Sequence, residues 1–319
     1  MFRTALAALA LGAFSSAAIA QAYPQKPVQL VVPASPGGGT DIVTRIIAQK
    51  LTEAWGQTVI VDNRGGASGA IGVSLVARAV PDGHVLLSAS AGHIVYPPAL
   101  GKVPFDPLRD FAPISLLASG PLIIVAHPSV PAKSVRELIA LAKGRAGKLN
   151  YCSSGSGTST HVGAELFKSL TQTDIVHIPF KGQGPAIAAL LAGEIDLSFS
   201  TPPPALPQVR AGRLRGIAVT SKSRFGLAPE LPTVAESGFP DMEASIWYAM
   251  LAPVKTPPEV IARVHKELAR IVRLPDVQQR LASDGVEAIG STPDEFAAYF
   301  KSELTKWTAV IQRAKIRAD

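Results

Sequence analysis

Three loops in the sequence combine glycine with small hydroxyl residues at the point where a strand is followed by a helix. Glycine lets another molecule approach the backbone, and serine and threonine add hydrogen-bond donors. The first turn of a helix has amide hydrogens without partners in the helix, and the helix dipole attracts anions to that end. Each loop is therefore a candidate anion-binding site, although a simple glycine turn fits any single one equally well. The first, second and third loops are residues 35–41, 153–161 and 181–185.

The candidate ligand-binding residues are the glycines, the hydroxyl residues and their polar neighbours: in the first loop Ser35, Gly37, Gly38, Gly39, Thr40 and Asp41, in the second Ser153, Ser154, Gly155, Ser156, Thr158 and His161, and in the third Lys181, Gly182, Gln183 and Gly184. Asp41 is anionic, so we expect it to cap the helix or orient water instead of contacting an anion. A side chain at Gly38 is expected to block the approach of a ligand. For His161, a position facing the ligand and a packing or surface role are both open.

The sequence contains no nucleotide-binding or metal-binding motif. The stretch GGGTDI at residues 37–42 lacks the third glycine of a dinucleotide fingerprint, and no Gly-Lys-Ser or Gly-Lys-Thr follows a phosphate-binding loop. The six histidines are dispersed without metal-ligand spacing, so we expect no metal and no cofactor. The basic residues are scattered too, and the net charge of +7 therefore favours anionic ligands without indicating nucleic acid.

A secreted hydrolase is the alternative from a different functional class. The stretch SASAG at residues 88–92 resembles a nucleophile elbow centred on Ser90, and the glycines of the first loop would serve as its oxyanion loop. However, Ser88 stands where glycine is required, and Pro97 and Pro98 argue against the helix that must follow the serine at once. No acid and histidine stand out as triad partners. We therefore expect no enzymatic activity and keep Ser90 as a ligand-binding candidate.

The N-terminus predicts export. Arg3 is the only charged residue among the first 20, and the apolar run Ala5–Phe14 leads to small-x-small sequences that end at Ala20 and Ala22. This pattern is typical of a signal peptide over residues 1–22, cleaved near Ala20 or Ala22, because the apolar run is too short to span a membrane. The mature protein is then expected in the periplasm.

Strands alternate with helices along two parts of the chain, which predicts an α/β protein with parallel strand pairing. Residues 111–126 have the pattern of extended chain with a Gly-Pro break, which we interpret as a crossing between two lobes. Residues 245–252 have the pattern of a strand that leads back to the first lobe. The predicted domains are the first lobe, residues 23–120 with 245–319, and the second lobe, residues 121–244.

Some local signals refine this organisation. Ser134 with Glu137, and Thr292 with Glu295, are typical of capping boxes that start helices. Cys152 is the single cysteine, so no internal disulfide can form, and we expect it to be a small, partly buried side chain.

Seven segments, taken in chain order, together resemble one family of receptors: YPQKPVQLVVPASPGGGTD, VDNRGGASGAIG, PDGHVLL, LNYCSSGSGTSTH, IPFKGQGPA, LLAGEIDLSFS and SGFPDMEASIWYAMLAP. From these segments the chain is identified as a member of the extracytoplasmic solute-binding receptors of the tripartite tricarboxylate transporter system, the Bug or TctC-like family. The resemblance spans essentially the whole chain after the signal peptide.

The resemblance implies a two-lobed periplasmic-binding-protein fold, in which each lobe is a mainly parallel sheet flanked by helices. Two crossings join the lobes, which close on the ligand like a flytrap. The ligand is a small organic acid, such as a di- or tricarboxylate or an aromatic acid, held between backbone amides of residues 36–41 and the second and third loops. The receptor delivers it to membrane permease subunits and is expected to be a monomer. A ligand sensor for a membrane signalling kinase is a further alternative.

One departure from the family pattern bears on the ligand. Near the end of the strand that matches DLSFS, relatives often carry an acidic residue that can bind an amino group of the ligand. Ser200 and Thr201 occupy that place here. Both residues join the ligand-binding candidates, and they favour a plain carboxylate over an amino acid.

Overall fold

The structure is a computed structural model that describes residues 23–101 and 103–317. The predicted signal peptide, residues 1–22, lies outside the described residues. The strands of the described part are β1 (Val28–Val32), β2 (Val59–Asn63), β3 (Val85–Ser90), β4 (Phe111–Pro121), β5 (Ile123–Ala126), β6 (Asn150–Ser153), β7 (Val176–Pro179), β8 (Leu197–Ser200), β9 (Arg215–Val219), β10 (Ser245–Pro253) and β11 (Glu287–Ala288). Its α-helices are α1 (Gly39–Trp55), α2 (Ala70–Ala77), α3 (Ala91–Ile94), α4 (Tyr96–Leu100), α5 (Val135–Gly144), α6 (Ser159–Thr171), α7 (Gln183–Leu191), α8 (Pro202–Arg210), α9 (Pro258–Ile271), α10 (Pro275–Ser283) and α11 (Pro293–Arg313).

The first lobe is built on a six-stranded sheet with the order β11-β4-β10-β3-β1-β2. β1 pairs in parallel with β2 and β3, as the alternation of strands and helices predicts. β10 lies antiparallel between β3 and β4, so the chain after residue 245 returns to this sheet. The loops that follow β1, β2 and β3 leave from the same edge, because parallel strands end on the same side.

The second lobe is built on a five-stranded sheet with the order β7-β6-β8-β5-β9. β6 pairs in parallel with β7 and β8, whereas β5 is antiparallel to both of its neighbours. The sheets are thus mixed. Parallel pairing holds for the strands that carry the glycine-rich loops, and the strands beside the crossings are antiparallel because the chain leaves the first lobe along β4 and returns next to it along β10.

Two crossings join the lobes, and the one predicted over residues 111–126 is confirmed. Leu122 separates β4 in the first sheet from β5 in the second, and residues 220–244 lead back from β9 to β10. Thr220 ties the two together. Its hydroxyl accepts the backbone N–H of Leu122 at 2.9 Å, and its carbonyl accepts the N–H of Ala244 at 3.1 Å. The crossings therefore form one buried joint.

The largest buried side chains of the first lobe surround a carboxylate. The indole N–H groups of Trp247 and Trp307 donate to Oε2 of Glu303 at 3.1 and 3.2 Å. A buried carboxylate is costly unless it is hydrogen-bonded, and these two donors satisfy it. The contact fixes α11 against β10, a strand inside the first sheet that begins where the chain returns from the second lobe.

The capping signals are confirmed at α11 and in part at α5. The Thr292 hydroxyl accepts the N–H of Glu295 at 3.2 Å, and the Glu295 carboxylate accepts the N–H of Thr292 at 2.8 Å. At α5 the Ser134 hydroxyl accepts the N–H of Glu137 at 3.2 Å, but the Glu137 carboxylate accepts the N–H of Lys133 at 2.7 Å. The return bond therefore reaches one residue further back than a capping box requires.

The expectation that no helix directly follows Ser90 is wrong. α3 begins at Ala91, and Pro97 and Pro98 lie in the first turn of the next helix, α4. Proline fits a first turn because the N–H that it lacks has no partner there. Cys152 is fully buried instead of partly buried, and burial raises the pKa of its thiol to about 11. Among the described helices, none combines the length and the apolar composition of a bilayer span.

Candidate ligand-binding site

A cavity of about 620 Å³ lies between the two lobes, where the loops from both sheet edges meet. Its walls are formed by the loops after β1, β2, β3, β6 and β7, together with Thr201 and Ile246. Within the part of the chain that the structure describes, no acidic side chain lines the cavity, and Lys181 is the one lining residue with a permanent charge. The cavity is therefore rich in backbone and hydroxyl groups and poor in charge.

The first loop places bare backbone at the cavity. Gly37 has a φ of +78°, which glycine adopts without strain, and α1 then begins with Gly39 and Thr40 in the cavity wall. A β-carbon on Gly39 would overlap the hydroxyl of Tyr248, so only glycine fits there.

Gly38 is less constrained than its neighbour. A β-carbon on Gly38 would meet its nearest atom, Cβ of Gln183, at 3.5 Å, which is an ordinary contact. The backbone of Gly38 is extended, with a φ of −82° that any residue can adopt. The packing of the protein therefore requires glycine at Gly39 and not at Gly38, while the blocking of a ligand by a side chain at Gly38 stays a prediction.

Asp41 holds the first loop from behind. Its Oδ2 accepts the backbone N–H of Gly37 at 2.9 Å. Its Oδ1 accepts the side-chain amide of Asn63 at 3.0 Å and lies 3.0 Å from the guanidinium of Arg45. Asn63 also donates to the carbonyl of Ala34 at 3.1 Å. Asp41 is buried and does not line the cavity, so its charge shapes the loop without facing the space inside.

The second loop is held by hydroxyl groups. Oγ1 of Thr160 accepts the backbone N–H of Ser154 at 2.8 Å and lies 3.0 Å from the Ser154 hydroxyl. The Thr158 hydroxyl donates to the carbonyl of Gly155 at 2.7 Å. These side chains line the cavity while they bond to one another, so they form a connected polar wall.

Two other residues of the second loop lie behind this wall. Ser153 Oγ accepts the N–H of Gly155 at 3.1 Å and lies 2.6 Å from Nε2 of His177. Nδ1 of His161 accepts the N–H of Gly157 at 3.1 Å, and the His161 ring stacks on that of His177 with centroids 4.3 Å apart. Ser153 and His161 therefore shape the loop and do not line the cavity.

The third loop brings Gln183 to the start of α7. Its side-chain amide donates to Oγ of Ser200 at 2.9 Å, and the Ser200 hydroxyl donates to the carbonyl of Thr201 at 3.0 Å. The amide oxygen of Gln183 has no hydrogen-bond partner within the described residues. Gln183 and Thr201 line the cavity, and Ser200 supports them from the end of β8.

Hydrogen bonds join the two lobes beside the cavity. The Ser35 hydroxyl donates to the carbonyl of Lys181 at 2.8 Å. Gly182 follows with a φ of +124°, and a β-carbon there would overlap the Ser35 hydroxyl. The Ser68 hydroxyl of the first lobe donates to the carbonyl of Ser156 in the second. The structure is therefore a closed form of the two lobes.

Helices α1, α6 and α7 begin at the cavity wall. α1 presents Gly39 and Thr40 from the first lobe, and α6 presents Ser159 and Thr160 from the second, where α7 adds Gln183. The first-turn N–H groups of a helix lack partners within it, and the helix dipole places a partial positive charge at that end. The cavity is therefore suited to an anion whose acceptor atoms reach both lobes.

Ser90 and His93 meet at the cavity wall after β3. Ser90 Oγ lies 2.9 Å from Nδ1 of His93, and the Ser90 backbone N–H donates to the same nitrogen at 3.2 Å. Burial lowers the pKa of His93 to about 4. A histidine partner for Ser90 therefore exists, contrary to expectation, but its nitrogen on that side already accepts a backbone hydrogen.

Comparison with known proteins assigns the family. The model of the tripartite tricarboxylate transporter family receptor matches residues 43–316. The chain belongs to this family.

Relatives of this receptor cover almost its whole length. Protein BugT from Bordetella pertussis is 35% identical over 295 residues, 92% of this chain and 90% of BugT. An R. palustris protein solved with adipate is 33% identical, with a TM-score of 0.88 over 93% of this chain and 99% of that one. MatC from Rhodopseudomonas palustris, solved with malate, is 29% identical, with a TM-score of 0.87 over 91% of this chain and 100% of MatC. The chain is thus a two-lobed periplasmic solute-binding receptor.

Most of the candidate residues that were selected from the sequence line the cavity of the receptor. Those that line it are Ser35, Gly38, Gly39, Thr40, Ser90, Ser154, Gly155, Ser156, Thr158, Lys181, Gly182, Gln183 and Thr201. Those that lie behind the wall are Gly37, Asp41, Ser153, His161, Gly184 and Ser200. Gly184 allows the lobes to meet, because a β-carbon there would lie 2.8 Å from the carbonyl oxygen of Pro36.

A fourth loop of the receptor, residues 63–69, lines the cavity without having been selected from the sequence. Ala67 and Ser68 adopt φ values of +47° and +54°, which are uncommon outside glycine. The sequence signal is the stretch NRGGASG after a strand, which has the same design as the other three loops. His93 also lines the cavity without having been selected, and its signal is a histidine three positions after a serine at a strand end.

Proposed function

We propose that this receptor captures a small organic carboxylate between its lobes and delivers it to a membrane transporter of the tripartite tricarboxylate type. The observation that carries the proposal is the convergence of three helix N-termini from both lobes on one hydroxyl-lined cavity. With no acidic side chain among the described lining residues, the cavity offers donors to a carboxylate and no counter-ion to an amine.

The energetic support comes mainly from neutral donors. A helix N-terminus contributes about 0.3–1 kcal/mol to the binding of an anion, and up to about 2 kcal/mol when the site is partly buried. A hydrogen bond to a charged group contributes about 1.5–3 kcal/mol. A dianion with one carboxylate in each lobe collects both kinds of contact only when the lobes are closed, so binding and closure are coupled.

Each predicted residue has a role in this proposal. One carboxylate meets the backbone amides around Gly38, Gly39 and Thr40, with Ser35 and Ser90 nearby. The other end meets the second and third loops through Ser154, Gly155, Ser156, Thr158, Lys181, Gly182, Gln183 and Thr201. The remaining predicted residues support these from behind the wall: Gly37, Asp41, Ser153, His161, Gly184 and Ser200.

The chemistry of the solved relatives supports a dicarboxylate. One of them holds adipate and MatC holds malate, and neither of these acids carries an amino group. Phe180 and Ile246 add apolar surface to the cavity wall of this receptor, against which a methylene chain can pack. We therefore propose a plain or hydroxylated dicarboxylate of this size class as the ligand.

Binding in this proposal involves no covalent chemistry. Nδ1 of His93 accepts the Ser90 backbone N–H, and an imidazole with a pKa of about 4 is a weak base at neutral pH. Residues 1–22 act as the signal peptide, cleaved near Ala20 or Ala22. The mature receptor works as a monomer with the permease subunits.

The ligand is tested by thermal shift and titration calorimetry on the mature chain. The panel contains malate, adipate, citrate, nicotinate and glutamate, with 1,6-diaminohexane and glucose as cationic and neutral controls. A ligand at 100 times its Kd stabilises the fold by about 2.7 kcal/mol, which gives a clear shift. We expect the largest shift from malate or adipate, the dicarboxylates without an amino group. A shift from the diamine or the sugar alone would contradict the proposal.

Delivery is tested in cells. Deletion of the receptor should abolish uptake of the labelled ligand, and the wild-type chain should restore it. If uptake survives the deletion while a ligand-dependent gene response is lost, the receptor serves a membrane signalling kinase instead.

A further inference from the structure

The hydrogen bonds around His93 fix the position of its ring proton. The Ser90 backbone N–H points at Nδ1 over an N···N distance of 3.2 Å. A backbone N–H can only donate, so Nδ1 must accept. The proton of the neutral imidazole therefore lies on the other ring nitrogen, Nε2.

The Nε2–H group has no protein acceptor among the described residues. His93 is 8% exposed and lines the cavity. Burial alone lowers the pKa of His93 to about 4, and the neighbouring segments contribute Gly69 and Ser159, neither of which titrates. A donor at the cavity wall that has no protein acceptor is available to an acceptor that a ligand or a water molecule supplies.

His93 lies where the first lobe meets the N-terminus of α6. A β-carbon on Gly92, the preceding residue, would lie 2.7 Å from Oγ of Ser159. A β-carbon on Gly69 would lie 2.8 Å from Cδ2 of the His93 ring. The ring is therefore held by close backbone approach and by Ser90, and it has little freedom to reorient.

We propose that His93 is a specificity-determining residue whose Nε2–H donates a hydrogen bond to an oxygen atom of the ligand. This assignment rests on the proposed function, because it concerns the same cavity. A carboxylate, carbonyl or hydroxyl oxygen can accept the bond, whereas an ammonium group has no lone pair to do so. A ligand that presents an oxygen atom to this N–H is therefore preferred to one that presents an ammonium group in the same place, which would leave the donor unpaired.

The tautomer is tested by NMR of the mature chain labelled with ¹⁵N in histidine. The spectrum of His93→Gln identifies the His93 signals by their absence. We expect a protonated Nε2, an unprotonated Nδ1, and no titration of this ring between about pH 5.5 and 8. A proton on Nδ1, or titration at an ordinary histidine pKa, would overturn the assignment.

The hydrogen bond is tested by calorimetry with malate and adipate as probes. His93→Leu removes the donor, and His93→Gln places an amide N–H near the position of Nε2. We expect His93→Leu to weaken binding roughly 10- to 100-fold and His93→Gln to stay within a few-fold of wild type. Circular dichroism checks that both variants fold. Unchanged binding by His93→Leu, or equal losses in the two variants, would overturn the assignment.

A second measurement applies if neither variant folds. The wild-type Nε2–H signal must then shift when malate or adipate is added, and an unchanged signal would overturn the assignment.

The wild-type chain and the His93→Leu variant separate the two proposals. Equal binding of malate and adipate by both would overturn the role of His93 and leave the carboxylate function standing. If neither malate nor adipate binds the wild-type chain, the dicarboxylate function fails, and the assignment fails with it.

Discussion

The first and second loops present a helix N-terminus to the same cavity, but they are held by different interactions. Behind the first loop stands an ion pair, with Asp41 bonded to Gly37 and facing Arg45. The second loop has no acidic residue in the first turn of its helix and is held by hydroxyl and imidazole groups. In the first loop, the charged anchor lies behind the backbone, and bare glycine backbone faces the cavity. In the second loop, the hydroxyl groups that hold the loop also line the cavity.

This difference suggests how each lobe selects its part of a ligand. The first loop offers amides in a fixed direction, because its anchor leaves no rotatable side chain in front except Ser35 and Thr40. The second loop offers hydroxyl groups that both donate and accept, so it can meet a carboxylate or a hydroxyl group. The two lobes are thus expected to respond differently to substitution.

The largest expected effect is at Gly39. Gly39→Ala forces its β-carbon into the Tyr248 hydroxyl, at a cost of about 1–3 kcal/mol in unfolding free energy, and removes measurable binding of the dicarboxylate. Gly38→Ala is the matched control for stability and should lower the unfolding free energy by less than about 0.5 kcal/mol, because its β-carbon makes only ordinary contacts. Urea unfolding measures stability, and calorimetry measures binding. Similar losses of unfolding free energy for both alanines would show that the packing constraint is not specific to Gly39.

The ionic anchor is tested by Asp41→Asn. The asparagine turns one acceptor into a donor and faces both the Gly37 N–H and the Asn63 amide, so we expect a loss of about 1.5–3 kcal/mol in unfolding free energy and weaker binding. Asp276→Asn, which breaks an exposed pair with Lys50, is the control and should change neither. Full stability of Asp41→Asn would remove the distinction between the two loops.

The neutral network is tested by Thr160→Val, which keeps the shape and removes the hydroxyl. The Ser154 N–H loses its acceptor, with an expected cost of about 1–2 kcal/mol and weaker binding. Thr171→Val at the other end of α6 is the control, because it also removes a buried hydroxyl. It should lower stability without changing the Kd. If both variants bind equally well, the network does not shape the site.

The smallest effect is expected at the contact between the lobes. Ser35→Ala removes one hydrogen bond to the Lys181 carbonyl, worth about 0.5–1.5 kcal/mol, so the Kd should rise roughly two- to tenfold through faster dissociation. Ser302→Ala removes a similar bond on α11 and should leave the Kd unchanged. Stopped-flow kinetics separates the two rates. An effect on association alone would argue against a role in holding the lobes closed.

The sequence predicts the glycine-rich loops well because their signal is local. A strand, a glycine and a helix start lie within a few residues of each other in all of them, and the fourth loop at residues 63–69 carries the same pattern. What stays hidden is which side chains face the cavity. His161 of α6 lies behind the wall and stacks on His177 of β7, and no local sequence pattern encodes that contact.

The same difference between local signals and long-range contacts holds for the fold. Helix caps such as Thr292 with Glu295 are readable from four consecutive residues. The antiparallel insertion of β10 between β3 and β4 depends on pairs such as Tyr248 with Ser90, which are far apart in sequence. Alternation of strands and helices predicts the parallel pairs. It does not predict which strands pair with a strand that returns from another lobe.

The position of β10 also sets the order in which the chain can fold as it leaves the ribosome. All five strands of the second sheet lie between residues 123 and 219, so that lobe has its complete sheet before β10 is synthesised. β3 and β4 stay unjoined until residues 245–253 emerge. Domains usually fold from the N-terminus onward during synthesis, and pairings between distant residues form slowly. In this receptor the middle of the chain can fold first, and the strands made first complete their sheet last.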